Sequence, residues 1–207
     1  MWTVQVWLNK ECISSSAIST FRQELRTSCP NYVVIDGLFD NAKLDEVVAE
    51  LQNSPRWHTQ QHTYSALYVD EDSWHKSDDE ERFVQRDVWL REQPNRRHSQ
   101  PDQARRHVNR PQTAQAFLSY LRSHEFLSLL SRIFDVALTD KNVAEPNINT
   151  NYFRLGADDF VEQHADDSPG REVCMLLYLN QGWTDECGGE LVFSARSKEG
   201  SSLDKLV

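Results

Sequence analysis

The stretch DDFVEQHADDSPGREVCMLLYLN, residues 158–180, decides how this chain is interpreted, because it places a histidine and an aspartate just ahead of an apolar run. His164 and Asp166 form the only His-x-Asp sequence in the chain. Residues two apart in a β-strand project to the same side of it. The two side chains can therefore offer an imidazole nitrogen and a carboxylate oxygen to one point in space.

A metal ion is the ligand that suits this pair of donors. With one further histidine, the pair makes the facial ligand set of non-heme Fe(II) oxygenases, which leaves coordination positions open for a cosubstrate and dioxygen. Structural zinc sites usually have four protein ligands, often cysteine thiolates, and no open coordination position. None of the four cysteines here stands in a Cys-x-x-Cys pair. We therefore predict His164 and Asp166 as iron ligands. For the motif taken alone, a solvated surface pair is the alternative.

Length, composition and charge restrict the class of protein. A chain of 207 residues that is 39% hydrophobic can bury one good core, so we expect a single domain over residues 1–207. The net charge of −10 argues against nucleic acid as a partner, because a polyanion would repel the protein. The N-terminus lacks the pattern of a secretory signal, and no apolar run approaches the ~20 residues of a membrane span. We expect a cytoplasmic protein with no membrane partner.

Residues 1–135 carry mainly helical patterns and variable loops. Apolar residues recur there every three or four positions, and Asp40 or Asn41 stands where a helix cap is needed. The predicted helices are residues 16–25, 40–52, 111–123 and 125–134. NYVVIDGLF, residues 31–39, predicts a buried strand, and RFVQRDVWL, residues 82–90, predicts a short one.

Residues 147–207 change to short extended segments separated by glycine-containing turns. The predicted strands are residues 147–155, 159–164, 172–180 and 189–194. Helices followed by strands predict an α+β fold in which the helices buttress one face of a sheet sandwich or jelly roll.

Two highly charged segments separate these halves. Residues 70–82 hold seven acids, and residues 91–110 hold six arginines. Solvated loops are the simpler interpretation of such runs. The alternative is an interaction protein whose arginines meet an anionic partner, with affinity that falls as salt is added. The arginines are Arg91, Arg96, Arg97, Arg105, Arg106 and Arg110.

The neighbours of the His-x-Asp form an ordered series: Tyr152 and Gly156 before it, then Tyr178 to Asn180, Trp183, and Gly188 to Leu191 after it. This series resembles the Fe(II)- and 2-oxoglutarate-dependent dioxygenases of the prolyl 4-hydroxylase-like branch. Residues 31–53 also resemble the strand and helix that open many of its members. The resemblance covers residues 31–53 and 147–193.

The resemblance implies a double-stranded β-helix, or jelly roll, that holds Fe(II), with 2-oxoglutarate as cosubstrate and ascorbate as an auxiliary reductant. It implies that an unactivated C–H bond of a prolyl residue in a protein, or of a small molecule, is hydroxylated while succinate and CO2 are released. Asp166 stands where halogenating members carry a small residue, so hydroxylation is expected. Tyr178 matches a position that contacts the cosubstrate. Tyr152 is the weaker candidate, and a core aromatic is the alternative for both.

The chain departs from the family in its third ligand, because no histidine follows His164 and the family's basic partner for the far carboxylate of 2-oxoglutarate is not found either. One explanation is a chain cut short of its closing strands. A second is an upstream histidine that serves as ligand, and a third is a catalytically inactive dioxygenase-fold protein that binds a partner. The upstream histidines are His58, His62, His75, His98, His107 and His124.

Overall fold

The computed structural model describes residues 7–64, 82–91, 113–139, 150–161, 172–196 and 202–206. These residues form four α-helices and six strands. In chain order the elements are α1 (Ser15–Thr27), α2 (Asn41–Gln52), β1 (Trp57–Tyr64), β2 (Arg82–Trp89), α3 (Thr113–Leu121), α4 (His124–Phe134), β3 (Phe153–Arg154), β4 (Phe160–Val161), β5 (Val192–Arg196) and β6 (Ser202–Leu206). Mixed helices and antiparallel strands confirm the predicted α+β class.

The helices begin where the sequence supplies caps. Asp40 Oδ1 accepts the backbone N–H of Lys43 at 3.0 Å, so Asp40 is the cap of α2. Ser14 and Ser123 cap α1 and α4 in the same way. Each cap satisfies one of the donors that a helix start leaves unpaired. All four predicted helices are confirmed, and none of the described helices has the length and apolar character needed to cross a bilayer.

The core lies where α2 packs on α3 and α1 on α4. Phe117 of α3 is fully buried, with its ring centroid 4.8 Å from that of Trp7 and 5.1 Å from that of Phe39. Close packing of this kind supplies most of the free energy that opposes chain entropy. The clustered core residues are Trp7, Leu8, Ile18, Leu25, Leu38, Phe39, Val47, Leu51, Trp89, Ala114, Phe117, Leu118, Phe126, Leu129, Ile133 and Tyr152.

Strand β2 is the centre of a four-stranded antiparallel sheet. β1 pairs with it from Trp57 opposite Trp89 to Tyr64 opposite Arg82. β3 and β4 also pair with β2, one after the other along its length. The predicted strand at residues 82–90 is thereby confirmed, and the chain that leads to the His-x-Asp lies on this sheet.

A second, two-stranded sheet consists of β5 and β6, which pair from Val192 opposite Leu206 to Arg196 opposite Ser202. Phe193 of β5 turns toward the helical region, where its ring centroid lies 5.5 Å from that of Tyr32. The described strands therefore form two antiparallel sheets. The jelly roll is more specific than this arrangement and stays a prediction.

The strand predicted at residues 31–39 is wrong. Phe39 makes one isolated bridge with Leu8, and Val34 is 53% exposed. Instead of a ladder, Ser28 Oγ donates to the carbonyl of Tyr32 at 2.7 Å. β-branched residues favour a strand only where neighbours offer cross-strand packing, and no second strand lies alongside this segment in the described part of the chain.

Other strands differ from their predictions in extent. Within the described parts of the predicted segments 147–155 and 159–164, which are residues 150–155 and 159–161, β3 and β4 occupy two residues each, and residues 172–180 join neither sheet. Strand β1 was not predicted, because WHTQQHTY lacks the alternation of apolar and polar residues that marks a half-buried strand.

Candidate functional site

The predicted iron ligands, His164 and Asp166, lie outside the described residues. The description reaches Val161 at the end of β4 and resumes at Glu172. Among the residues that are described, no three or more His, Cys, Asp and Glu side chains gather closely enough to hold a metal ion. The iron site therefore stays a prediction, and the structure describes the residues that precede and follow the motif.

A tight turn at Gly156 joins β3 to β4 just ahead of the motif. Asp159 Oδ2 accepts the backbone N–H of Gly156 at 2.7 Å, and the N–H of Asp159 donates to the carbonyl of Gly156 at 3.1 Å. Gln85 of β2 donates to Asp159 Oδ1 at 3.2 Å. These bonds tie the turn to the central strand. The turn predicted from the sequence is present, and it holds β4 against β2.

Tyr152 is a core residue. It is 7% exposed, its hydroxyl donates to the carbonyl of Ala114 at 2.9 Å, and its ring meets Trp89 edge-on. Burial, and secondly the nearby carboxylate of Glu50, raises the pKa of Tyr152 above its ordinary value, so the phenol remains a donor. Because that donor is already bound to α3, the structure favours the core interpretation of Tyr152 over contact with 2-oxoglutarate.

Tyr178 lies in a different environment. Its side chain is 59% exposed, whereas Leu177 and Leu179 on either side of it pack against the core. Partial burial of the phenol raises its pKa. Tyr178 therefore projects away from the helical layer, where a ligand could reach it, and its contact with the cosubstrate stays a prediction.

A charged cluster that the sequence did not suggest crosses the sheet. Asp87 of β2 accepts hydrogen bonds from Arg154 Nε at 3.2 Å and from Thr59 Oγ1 at 3.0 Å, and it forms an ion pair with Arg154 Nη2. The bonds from Arg154, then Thr59, hold the pKa of Asp87 below its usual value. Arg154 also lies over the ring of Trp57, at 4.9 Å.

This cluster links β1, β2 and β3, whose register places its members opposite one another. Its members come from positions 59, 87 and 154, and no local pattern connects them. Such a cluster can be found only after the strands have been paired. We assign it a structural role.

Trp183 and the glycine pair form a compact turn after residues 172–180. Trp183 Nε1 donates to the carbonyl of Gly188 at 2.9 Å, and Gly188 and Gly189 have φ angles of 69° and 81°. Only glycine adopts such backbone angles at little cost. These angles indicate a structural role for the two glycines, while the Trp183 ring is 54% exposed.

Three of the six upstream histidines are described. His58 and His62 lie on β1, opposite Val88 and Val84 of β2, and His124 begins α4. The sequence had offered no strand for His58 and His62. β1 and β4 lie on opposite sides of β2, so their backbones are two strand spacings, roughly 10 Å, apart. His75, His98 and His107 lie outside the described residues.

The charged segments fall mostly outside the described residues as well. Of the six arginines, only Arg91 is described, half-buried just after β2. The acidic segment is described only at Arg82, its last residue. Binding of an anionic partner by this region stays a prediction.

Comparison with known proteins identifies no relative: no protein-family model, curated protein or solved structure matches the chain. Interpretation of the site therefore depends on its residues and their placement.

Proposed function

We propose that this protein is an Fe(II)- and 2-oxoglutarate-dependent oxygenase that hydroxylates an unactivated C–H bond, with His164 and Asp166 as metal ligands. The observation that carries the proposal is the ordered series from Tyr152 to Leu191 around the His-x-Asp. Its target is a prolyl residue of a protein substrate or a small molecule. The jelly roll that surrounds such sites belongs to the same proposal.

The described residues on either side of the motif support this arrangement. β4 ends three residues before His164 and is paired with the central strand of the four-stranded sheet. The chain thus enters the motif from a sheet, as a ligand pair on a strand requires. After the motif, Leu177 and Leu179 anchor the chain on the core, and this leaves Tyr178 accessible.

The donor types fit ferrous iron. Imidazole and carboxylate are the ligands of the facial triad, and they leave open positions for the cosubstrate. When bound, the iron and 2-oxoglutarate would activate dioxygen, the oxidant, of which one oxygen atom goes to succinate and the other to the hydroxylated product. The chain contributes His164 and Asp166 to hold the metal, and Tyr178 as a hydrogen-bond donor to the far carboxylate of the cosubstrate. A histidine is the expected third ligand of the triad.

Succinate formation tests the proposal. Purified protein given Fe(II), 2-oxoglutarate and ascorbate is expected to release succinate even without a prime substrate. His164→Ala and Asp166→Ala should each lower that release by at least about a hundredfold, because each removes one of few metal ligands. Isothermal titration with Fe(II) should show weaker binding by the same two variants.

Asp36→Ala is the matched control for Asp166→Ala, since Asp36 is an exposed acid outside the proposed ligand set. It should retain both succinate release and iron binding. A wild-type protein that binds no iron and makes no succinate defeats the proposal. Loss of both properties in His58→Ala would instead identify His58 as the third ligand.

A further inference from the structure

Along residues 176–180, exposed side chains alternate with side chains that pack against the core. Leu176 and Tyr178 are 57% and 59% exposed, whereas Leu177 and Leu179 between and beyond them pack against the core. Alternation with a period of two is typical of an extended chain. One side of the segment is therefore fixed to the helical layer, and the other side offers large apolar groups to solvent.

The backbone of the same segment is available for pairing. Residues 176–180 belong to neither sheet in the described part of the chain. Extended segments without a ladder accept a further strand readily, since backbone groups supply the hydrogen bonds and alternate side chains supply the selectivity. Gln181 holds the end of the segment in place by donating to Asp45 Oδ1 of α2 at 2.6 Å.

In the sequence between Arg171 and Arg196, the charged residues are all acidic. From residue 172 to residue 195 the sequence contains four acidic residues and no lysine or arginine. Glu172, Glu186 and Glu190 are exposed, and Asp45 contacts Gln181 from α2. Trp183 adds an exposed ring to which a cation would be attracted. Complementary charge selects partners and repels the wrong ones.

We infer that residues 176–180 bind an extended peptide segment of a partner protein in which basic residues alternate with apolar ones. The peptide adds as a strand, its apolar side chains cover Leu176, and its cations face the carboxylates. This site needs neither iron nor 2-oxoglutarate, so its failure and the failure of the oxygenase proposal are distinguishable.

Fluorescence anisotropy tests the inference with a short dye-labelled peptide in which Lys alternates with Val, without added metal. The peptide should bind, and affinity should fall with added salt. A peptide that alternates Glu with Val should bind at least about tenfold more weakly, because the carboxylates repel it. The Lys-Val peptide with alternate backbone nitrogens methylated should also bind at least about tenfold more weakly, since it cannot form the ladder.

Two surface variants locate the site. Leu176→Ser should weaken binding of the Lys-Val peptide about tenfold or more, since it removes a central apolar contact. Val34→Ser is the matched control, because Val34 is 53% exposed on another segment, and its affinity should be unchanged. Circular dichroism shows whether both variants remain folded.

Several results would overturn the inference. The Lys-Val and Glu-Val peptides could bind equally well, or Leu176→Ser could bind as tightly as the wild type. Absence of binding by the wild type would have the same meaning. A dimer in sedimentation velocity that Leu176→Ser dissociates would show that a second copy of the chain, and not a basic peptide, occupies the segment.

Discussion

The helical region and residues 172–196 differ in how far their large apolar side chains are exposed. Phe117 and Ile133 of α3 and α4 are 0% exposed, whereas Leu176 and Trp183 are 57% and 54% exposed. The helices surround one core from several directions. The later segment has the core on one side only. Burial thus depends on whether a second layer is present, and less on how apolar the sequence is.

The largest expected effect is the difference between Phe117→Ala and Leu176→Ala in the free energy of unfolding. The first substitution leaves a cavity among Trp7 and Phe39 and should cost about 3–5 kcal/mol in the free energy of unfolding. The second removes a side chain that already meets water and should change that free energy by no more than about 0.5 kcal/mol. Urea unfolding followed by circular dichroism measures both. Equal costs would show that residue 176 is buried in solution and would break the comparison.

Tyr152→Phe tests the contact between the four-stranded sheet and the helical region, because Tyr152 joins that sheet to α3. The substitution removes the hydrogen bond from the hydroxyl to the carbonyl of Ala114 and should cost about 1 kcal/mol at neutral pH. Urea unfolding measures this cost. A smaller cost would mean that the hydroxyl has no partner of consequence, which would reopen its assignment to the cosubstrate.

The same pair of proteins should differ in pH dependence. Burial raises the pKa of Tyr152 in the folded state. The hydroxyl therefore makes its full contribution to the free energy of unfolding below about pH 10, the pKa of an unfolded tyrosine. Above that pH the unfolded chain releases the proton while the folded chain retains it. The advantage of the wild type over Tyr152→Phe should therefore shrink by about 1.4 kcal/mol per pH unit. An advantage that is constant between pH 9 and pH 11 would contradict the raised pKa.

The sequence predicted the helical region well and the strands less well, for a physical reason. The helix at residues 40–52 carries its cap and its apolar stripe within one short stretch, so local pattern is sufficient. A strand needs a partner distant in the chain. Residues 31–39 have a strand composition but no paired strand among the described residues, while the polar β1 is a strand because β2 lies beside it.

For the candidate site, local sequence could identify donor types but not contacts. His164 and Asp166 could be proposed because two donors two residues apart are a local pattern. Tyr152 was the weaker candidate for contact with the cosubstrate, and packing separates it further from Tyr178, through the bond of Tyr152 to α3 and the exposure of Tyr178. The ion pair of Asp87 with Arg154 depends on strand register, which no motif encodes.

Asp40→Ala asks how far the helical region depends on local signals. Loss of the bond to the N–H of Lys43 should cost about 1 kcal/mol in the free energy of unfolding. Asp36→Ala is the matched control, since Asp36 is an exposed acid that caps no helix, and its cost should stay below about 0.5 kcal/mol. Thermal unfolding of the three proteins gives the order. Equal midpoints for the two variants would show that packing, and not the cap, fixes the start of α2.

Tyr120→Phe should have the smallest effect, although it repeats the chemistry of Tyr152→Phe. The Tyr120 hydroxyl is buried and finds no hydrogen-bond partner among the described residues, and burial, then the charge of Glu125, raises its pKa to about 12. Removing a buried hydroxyl that has no partner relieves a desolvation cost, so stability should be unchanged or rise by up to about 1 kcal/mol. Urea unfolding of both variants gives the contrast. A loss in Tyr120→Phe as large as that in Tyr152→Phe would mean that the hydroxyl is hydrogen-bonded in solution and that the helical core is less fully packed than its exposures indicate.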